Sequence, residues 1–335
     1  MIGWVPRSTD RSVASFRYRC LLPMSELRRR GLAAELFEPS QRTRYRAVIF
    51  SKRYDSASRD LARQLVSNGT QVVLDLCDNH FYNPYGLPAY QHAASDLRAM
   101  VAVASRVVCS TTYLAEIVAA ECGAHPVVIP DPIEDVGVPA GDEPTERTIV
   151  WFGSHGSPNA PGGMADIANV AEQLTTAASM CPFKLEVISN SREKFERVIA
   201  PLHLNAAFLD WSPATQARAL ARAAGAIVPI DRNPFTLAKS NNRLVTALVA
   251  GVPVIADSIP AYDEFRPFCY LDDWENGLRN ALLRADDARH RTEAGARYAR
   301  SRYSLARIGE AWAEFLSELP QGTTRASAGI RGATR

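Results

Sequence analysis

The feature that most constrains this chain is an alternation, run through twice, of short apolar stretches with helix-length amphipathic ones. Strand-like runs fall at 2–5 (IGWV), 47–52 (AVIFSK), 71–77 (QVVLDLC), 106–111 (RVVCST) and 126–130 (PVVIP). Amphipathic runs lie between them, at about 21–31, 56–68, 91–103 and 112–121. Strands that are apolar nearly throughout must be covered on both faces, which calls for a parallel sheet flanked by helices. The stretch 131–147 (DPIEDVGVPAGDEPTER) has no period and is rich in proline, glycine and acid, so it reads as an interdomain linker. The alternation then restarts. Strand candidates are 148–153, 183–189, 206–211, 225–230 and 252–257, with helix candidates at about 163–178, 191–201, 213–223 and 240–250. One long helical stretch, about 274–318, follows, and the small, basic residues 320–335 are expected to be disordered. The expected fold class is α/β, with two Rossmann-like doubly wound domains, 1–138 and 146–300, facing each other across a cleft. In such sheets ligands sit beyond the carboxyl ends of the strands.

Composition removes several classes. The 335 residues are 47% apolar and 22% charged, enough apolar material for two cores and far from a disordered chain. No run of about 18 apolar residues occurs, so a spanning helix is not expected. The N-terminus (MIGWVPRSTDR) lacks the apolar run of a secretory signal. The six cysteines form no CxxC pair and mostly sit in apolar runs, as in reduced, buried thiols. A cytoplasmic protein is the expectation. With 38 basic and 36 acidic residues the chain is not a dedicated nucleic-acid binder. Residues 1–60, however, carry 13 basic and 6 acidic side chains, a local +7. A solvated arginine-rich surface would read this way. So would a surface for an anionic substrate or for peripheral contact with membrane headgroups.

GxxxxGK[ST], GxGxxG after the first strand, and HExxH are all absent. Four segments remain that could carry chemistry. In 150–163 (VWFGSHGSPNAPGG) a strand ends at Gly153 and a glycine-rich loop leads to a helix. Its amides, with Ser154 and His155, suit an anion, although a plain βα loop has the same look. In 225–257, Lys239 and Ser240 are expected to open a helix, with Arg243 one turn on. That arrangement suits a diphosphate, or else a simple cap with two solvated cations. In 71–83 (QVVLDLCDNHFYN) a strand runs into Asp75, Asp78, Asn79 and His80. The Asp75/Asp78 spacing is wrong for a metal-binding DxD, and a polar strand end is the plainer alternative. In 6–20, read as a loop, Arg17 and Arg19 are candidates for gripping a phosphate or an anionic acceptor. The run Arg28-Arg29-Arg30 matches a helix C-terminus and is read as structural. Trp211 fits either a nucleobase contact or a core aromatic.

The run KSNNRLVTALVAGVPVIADSIPAYDEF, with FGS at 152–154, LEVISNS at 185–191, FLDW at 208–211 and VVIPDPIE at 127–134, resembles the retaining, family-4-like glycosyltransferases of GT-B fold. The likeness spans about residues 45–317 and lies in order and spacing more than in any one motif. It implies a nucleoside-diphosphate sugar as co-substrate and donor, transfer to a hydroxyl of a glycan, lipid-linked or small-molecule acceptor, and a role in polysaccharide biosynthesis. It implies no resident cofactor and no metal, because cations and a helix N-terminus offset the leaving diphosphate. Donor contacts would come from Gly153, Ser154, His155, Asn190, Trp211, Lys239, Ser240 and Arg243, with Asp78, His80 and Lys239 in catalytic roles. Arg17 and Arg19 would serve the acceptor or its phosphate, and helix 301–319 would cross back to the first domain. Two departures stand out: many relatives carry paired glutamates where this chain has Ala238 and Thr246. These keep two other expectations open, a sugar-nucleotide epimerase on the same fold and a non-catalytic partner that binds nucleotide sugar.

Overall fold

The computed structural model describes residues 1–83, 86–134, 137, 147–156 and 162–320. Most of the predicted linker, part of the glycine loop after Gly156 and the predicted tail from 321 lie outside the described residues. Two parallel sheets of six strands each form two lobes. The first holds β1 (Ile2–Pro6), β2 (Ala34–Leu36), β3 (Ala47–Ser51), β4 (Gln71–Leu76), β5 (Arg106–Cys109) and β6 (Val127–Val128), in the order β2-β1-β3-β4-β5-β6. The second holds β7 (Thr148–Phe152), β8 (Lys184–Ser189), β9 (Ala206–Asp210), β10 (Gly225–Val228), β11 (Val254–Ala256) and β12 (Tyr270–Leu271), in the order β12-β11-β10-β7-β8-β9.

The apolar runs form the central strands for the reason their composition gives. Every residue of β3 and of β7 is buried, so neither face of either strand meets water. Four strands, β3, β5, β8 and β9, feed a helix whose start is fixed by a side-chain oxygen. Asp55, Thr111, Ser191 and Ser212 accept hydrogen bonds from the backbone N–H groups of Ser58, Leu114, Lys194 and Thr215. The strand order reverses between β1 and β3 in one sheet and between β7 and β10 in the other. Those two reversals mark where a doubly wound sheet opens a crevice at its carboxyl edge.

Two expectations about local structure need correction. The stretch 274–318 is not one helix but three, Trp274–Leu282, Asp286–Tyr303 and Leu305–Glu318. The first break has Arg284 in the left-handed region at φ 51°, and Ser304 starts the last helix by accepting from Arg307 N–H. The segment 6–20 is a loop only up to Val13. Helical backbone runs from Ala14 through a π-helical turn at Arg17–Leu21 into helix Leu22–Arg29. Helix Leu305–Glu318 packs on the first lobe, where Trp312, Phe315 and Leu316 share a buried cluster with Ile2, Trp4, Cys20 and Leu27. The rings of Trp4 and Trp312 meet edge to face at 5.9 Å. Among the described residues no helix is long and apolar enough to cross a membrane, and all six cysteines are free.

Candidate functional site

The site lies at the seam, where the carboxyl ends of both sheets converge. On the first lobe, β4 delivers Asp78, Asn79 and His80 just past its end, and all three are buried. On the second, the segment after β10 brings Phe235 and Lys239 across. Lys239 Nζ pairs with one carboxylate oxygen of Asp78, and Lys52, just past β3, pairs with the other. Asn79 donates its amide N–H to Pro234 O at 2.9 Å, and Thr111 donates its hydroxyl to Ala238 O at 3.3 Å. The Lys239 ammonium also lies 4.1 Å from the centroid of the Phe235 ring, which in turn stacks on His80.

Electrostatics follow from this packing. Burial alone would raise the Asp78 carboxyl, but the charges of Lys239 and Lys52 outweigh it and hold the group well below the usual range, so it stays ionised. His80 goes the other way. Burial depresses it, Asp78 pulls it part of the way back, and Lys52, Arg7 and Lys239 oppose a further positive charge, leaving it at about 3. The imidazole is therefore neutral at physiological pH. Its Nδ1 shares a proton with the Tyr54 hydroxyl at 2.7 Å, and burial pushes that phenol up to about 12. A neutral imidazole beside a fixed carboxylate offers one hydrogen-bond donor and one acceptor, with no net charge of its own.

On the second lobe, Gly153 ends β7. Its amide donates to Ile188 O at 3.1 Å, and Ser189 Oγ donates to its carbonyl at 2.8 Å, so the turn is fixed from both sides. The Arg243 side chain runs beside Gly153 and over the Trp151 ring, 6.0 Å from its centroid. His155 Nδ1 meets Asn190 Oδ1 at 2.7 Å, which joins two of the expected donor-side residues. Asp166, a residue the sequence did not single out, accepts Gly163 N–H at 2.8 Å. Burial raises its carboxyl, and Arg243 opposes the rise.

Other expected residues are placed differently. Lys239 and Ser240 do not open a helix. Asn241 occupies the cap and the helix runs over Asn242–Val249, so both residues precede it. The Ser240 hydroxyl is committed to Asp131 Oδ2 at 2.8 Å, and Asn242 Nδ2 donates to the same oxygen at 2.7 Å. Arg19, expected at an acceptor or phosphate loop, is fully buried. It reaches Asp75 (Nη2–Oδ1 2.5 Å), Asp131 (Nη1–Oδ1 3.0 Å) and Ile129 O (2.7 Å). Its guanidinium is buried among protein acceptors and has no face for a ligand. Asp75, which also accepts from Ser51 Oγ at 2.9 Å, is a structural counter-ion. Arg17 binds Glu134 through its Nε at 2.8 Å and stacks 4.8 Å over Trp211. That tryptophan donates Nε1–H to Gln216 at 2.8 Å and packs on the second lobe's core. Ala238 is fully buried in the first lobe's cluster, and Thr246, also buried, bonds the Tyr18 hydroxyl. The sequence missed Lys52, Tyr54, Arg7, Asp131 and Asp166. Among the described residues no three His, Cys, Asp or Glu side chains gather to hold a metal.

With this geometry in place, the fold can be set beside known ones. No family model matches the sequence, and no curated protein does. Solved structures do match, and they define the class: the chain has the two-lobed GT-B fold of glycosyltransferases. Anabaena HepE in complex with UDP-glucose superposes with a TM-score of 0.65 at 14% identity, over 95% of this chain and 100% of that one. A glycosyltransferase from Rickettsia africae gives 0.62 at 14% identity, over 95% and 97%. TarM gives 0.63 at 13% identity, over 80% of this chain. There the chain spans about half the relative's length, 54%.

Proposed function

We propose that the protein transfers a sugar from a nucleoside-diphosphate sugar to an acceptor hydroxyl, with retention and without a metal. The observation that carries this is the meeting of Lys239 with Asp78 at the seam, at the carboxyl ends of both sheets, on a fold shared over 95% of the chain with a structure holding UDP-glucose. The diphosphate would lie on the second lobe, against the amides after Gly153, Arg243 beside them, and Lys239. Its two negative charges would draw the Lys239 ammonium, which an ionised Asp78 otherwise occupies. In the transfer, the bond from the anomeric carbon to the diphosphate oxygen breaks and a bond to the acceptor oxygen forms. The acceptor's proton leaves with the nucleoside diphosphate. Charge develops on that leaving group, so cations and amides already in place lower the barrier. Asp78 and the neutral His80–Tyr54 pair would orient the acceptor hydroxyl. Lys239→Ala should lower turnover of UDP-glucose by about 100-fold or more while the melting curve keeps its shape. Turnover equal to wild type would remove Lys239 from the mechanism.

One observation favours a second reading, binding without transfer. Ala238 and Thr246, which stand where many relatives carry glutamates, are buried in contacts with the first lobe, so no carboxylate from either place reaches a sugar. A UDP-glucose thermal shift with neither UDP release nor epimer formation, on any acceptor tried, would support that reading.

A further inference from the structure

We propose that the acceptor carries a phosphate group, bound at the carboxyl edge of the first sheet between Arg7 and Lys52. The inference rests on the donor reading above, which assigns Lys239 and Arg243 to the nucleotide and so leaves the first lobe's cations for the other substrate. Arg7 and Lys52 are the first residues beyond β1 and β3, the two strands between which the order of that sheet reverses. The register pairs Pro6 with Ser51, and Arg7 N–H donates to Ser51 O at 3.0 Å, so the two cations leave the sheet side by side. A crevice at such a reversal is where this architecture receives ligands.

Two further observations set this place apart from a solvated basic face. Lys52 holds φ at 55°, a left-handed conformation uncommon for a residue with a side chain and concentrated where function needs it. That conformation turns the chain so that Lys52 reaches Asp78 while its amide donates to Asp75 O at 2.9 Å. The charges also do not cancel. Lys52 and Lys239 share a single carboxylate, Asp78, and the Arg7 guanidinium, close by, faces the Tyr54 hydroxyl. Among the described residues no carboxylate pairs with Arg7, which is exposed, whereas Arg53 beside it pairs with Asp55 at 3.5 Å. Arg17 and Arg19 are committed to Glu134, Asp75 and Asp131 and cannot supply the grip. An arginine fork beside a lysine, with charge to spare, suits the two negative charges of a phosphate monoester.

The test is calorimetric titration of the full chain saturated with UDP, using inorganic phosphate as the probe. The expected result is a further binding event that Arg7→Gln weakens about tenfold or more, with UDP affinity unchanged. Glucose 6-phosphate and vesicles containing phosphatidic acid serve as separate arms, distinguishing a soluble phosphorylated acceptor from a lipid phosphate. Lys52→Met should weaken the same event. Because it also strips a partner from Asp78, the exposed Arg7 carries the decision. Phosphate binding that Arg7→Gln leaves intact, or no event beyond the nucleotide, overturns the inference. Failure of UDP to bind would overturn the donor reading instead. The phosphate titration, run without nucleotide, would still compare Arg7→Gln with wild type.

Discussion

Replacing Arg19 with methionine tests whether the two lobes are held by a buried ionic hub. The guanidinium has no solvent exposure and makes five hydrogen bonds. Three go to Asp75 (3.1, 3.3 and 2.5 Å), one to Asp131 (3.0 Å) and one to the backbone Ile129 O (2.7 Å). Methionine fills much of the same length but leaves two carboxylates facing each other in a dry interior. Removing one partner of a buried pair costs about 3–5 kcal/mol, because the other charge stays behind. Asp75 keeps the Ser51 hydroxyl, and Asp131 keeps Ser240 and Asn242, so the lower part of that range, about 3–4 kcal/mol, applies here. At roughly 2–4 °C per kcal/mol for a unit of this size, the main thermal transition should fall by about 6–16 °C. Scanning calorimetry at neutral pH reads this directly. Arg19→Lys should fall between the two, since it restores the charge but not the fork. A methionine variant melting within about 2 °C of wild type would refute the argument. It would mean that Asp75 and Asp131 are relieved by water or by proton uptake, and that the hub does not secure the seam.

Two other consequences can be checked on the folded protein. Gly309 sits where helix Leu305–Glu318 crosses helix Leu22–Arg29, and a methyl group there would come within 2.0 Å of Glu26 Cγ. Gly309→Ala should therefore lose about 1–2 kcal/mol, overpacking outweighing the better helix propensity, and a raised urea midpoint would contradict this. His80 holds its proton less tightly folded (about 3) than unfolded (about 6.5), so the unfolded chain gains protons first as pH drops. The histidine thus drains stability as pH falls from about 6.5 toward 3, with roughly 2–3 kcal/mol lost by about pH 4.5. His80→Asn should lose less over that window, and parallel losses in the two proteins would show that the imidazole is not held neutral.

Legibility in the sequence tracks how local each determinant is. The eight central strands stand out because short, mostly apolar runs need cover on both faces, and the edge strands β6 and β9 were also found from apolar runs. The two missed strands, Ala34–Leu36 and Tyr270–Leu271, are edge elements of three and two residues and leave no such run. The break at Ser304 was written in a capping serine but lost in a stretch of otherwise good helix formers. Arg19 misled because a run such as SFRYRC reads as surface. Its burial depends on Asp75 and Asp131, 56 and 112 residues away. Asp131 itself fell at the start of a segment read as linker. The local pattern singled out Lys239, Arg243 and the Gly153 turn, though not that Lys239 precedes the helix, whereas the contacts of Lys52 and Tyr54 with Asp78 and His80, each 26 residues on, leave no local mark.

The placement of Trp312 against Trp4 has a consequence for how the protein is made. A lobe whose strands emerge first from the ribosome would ordinarily fold first. Here its apolar face around Ile2, Trp4 and Leu27 stays uncovered until the segment after Ser304 has been synthesised, by which time the second lobe is already complete. Nascent chains stalled short of Leu305 should be chaperone-bound, because the first lobe's apolar face still lacks the cover of Trp312, Phe315 and Leu316.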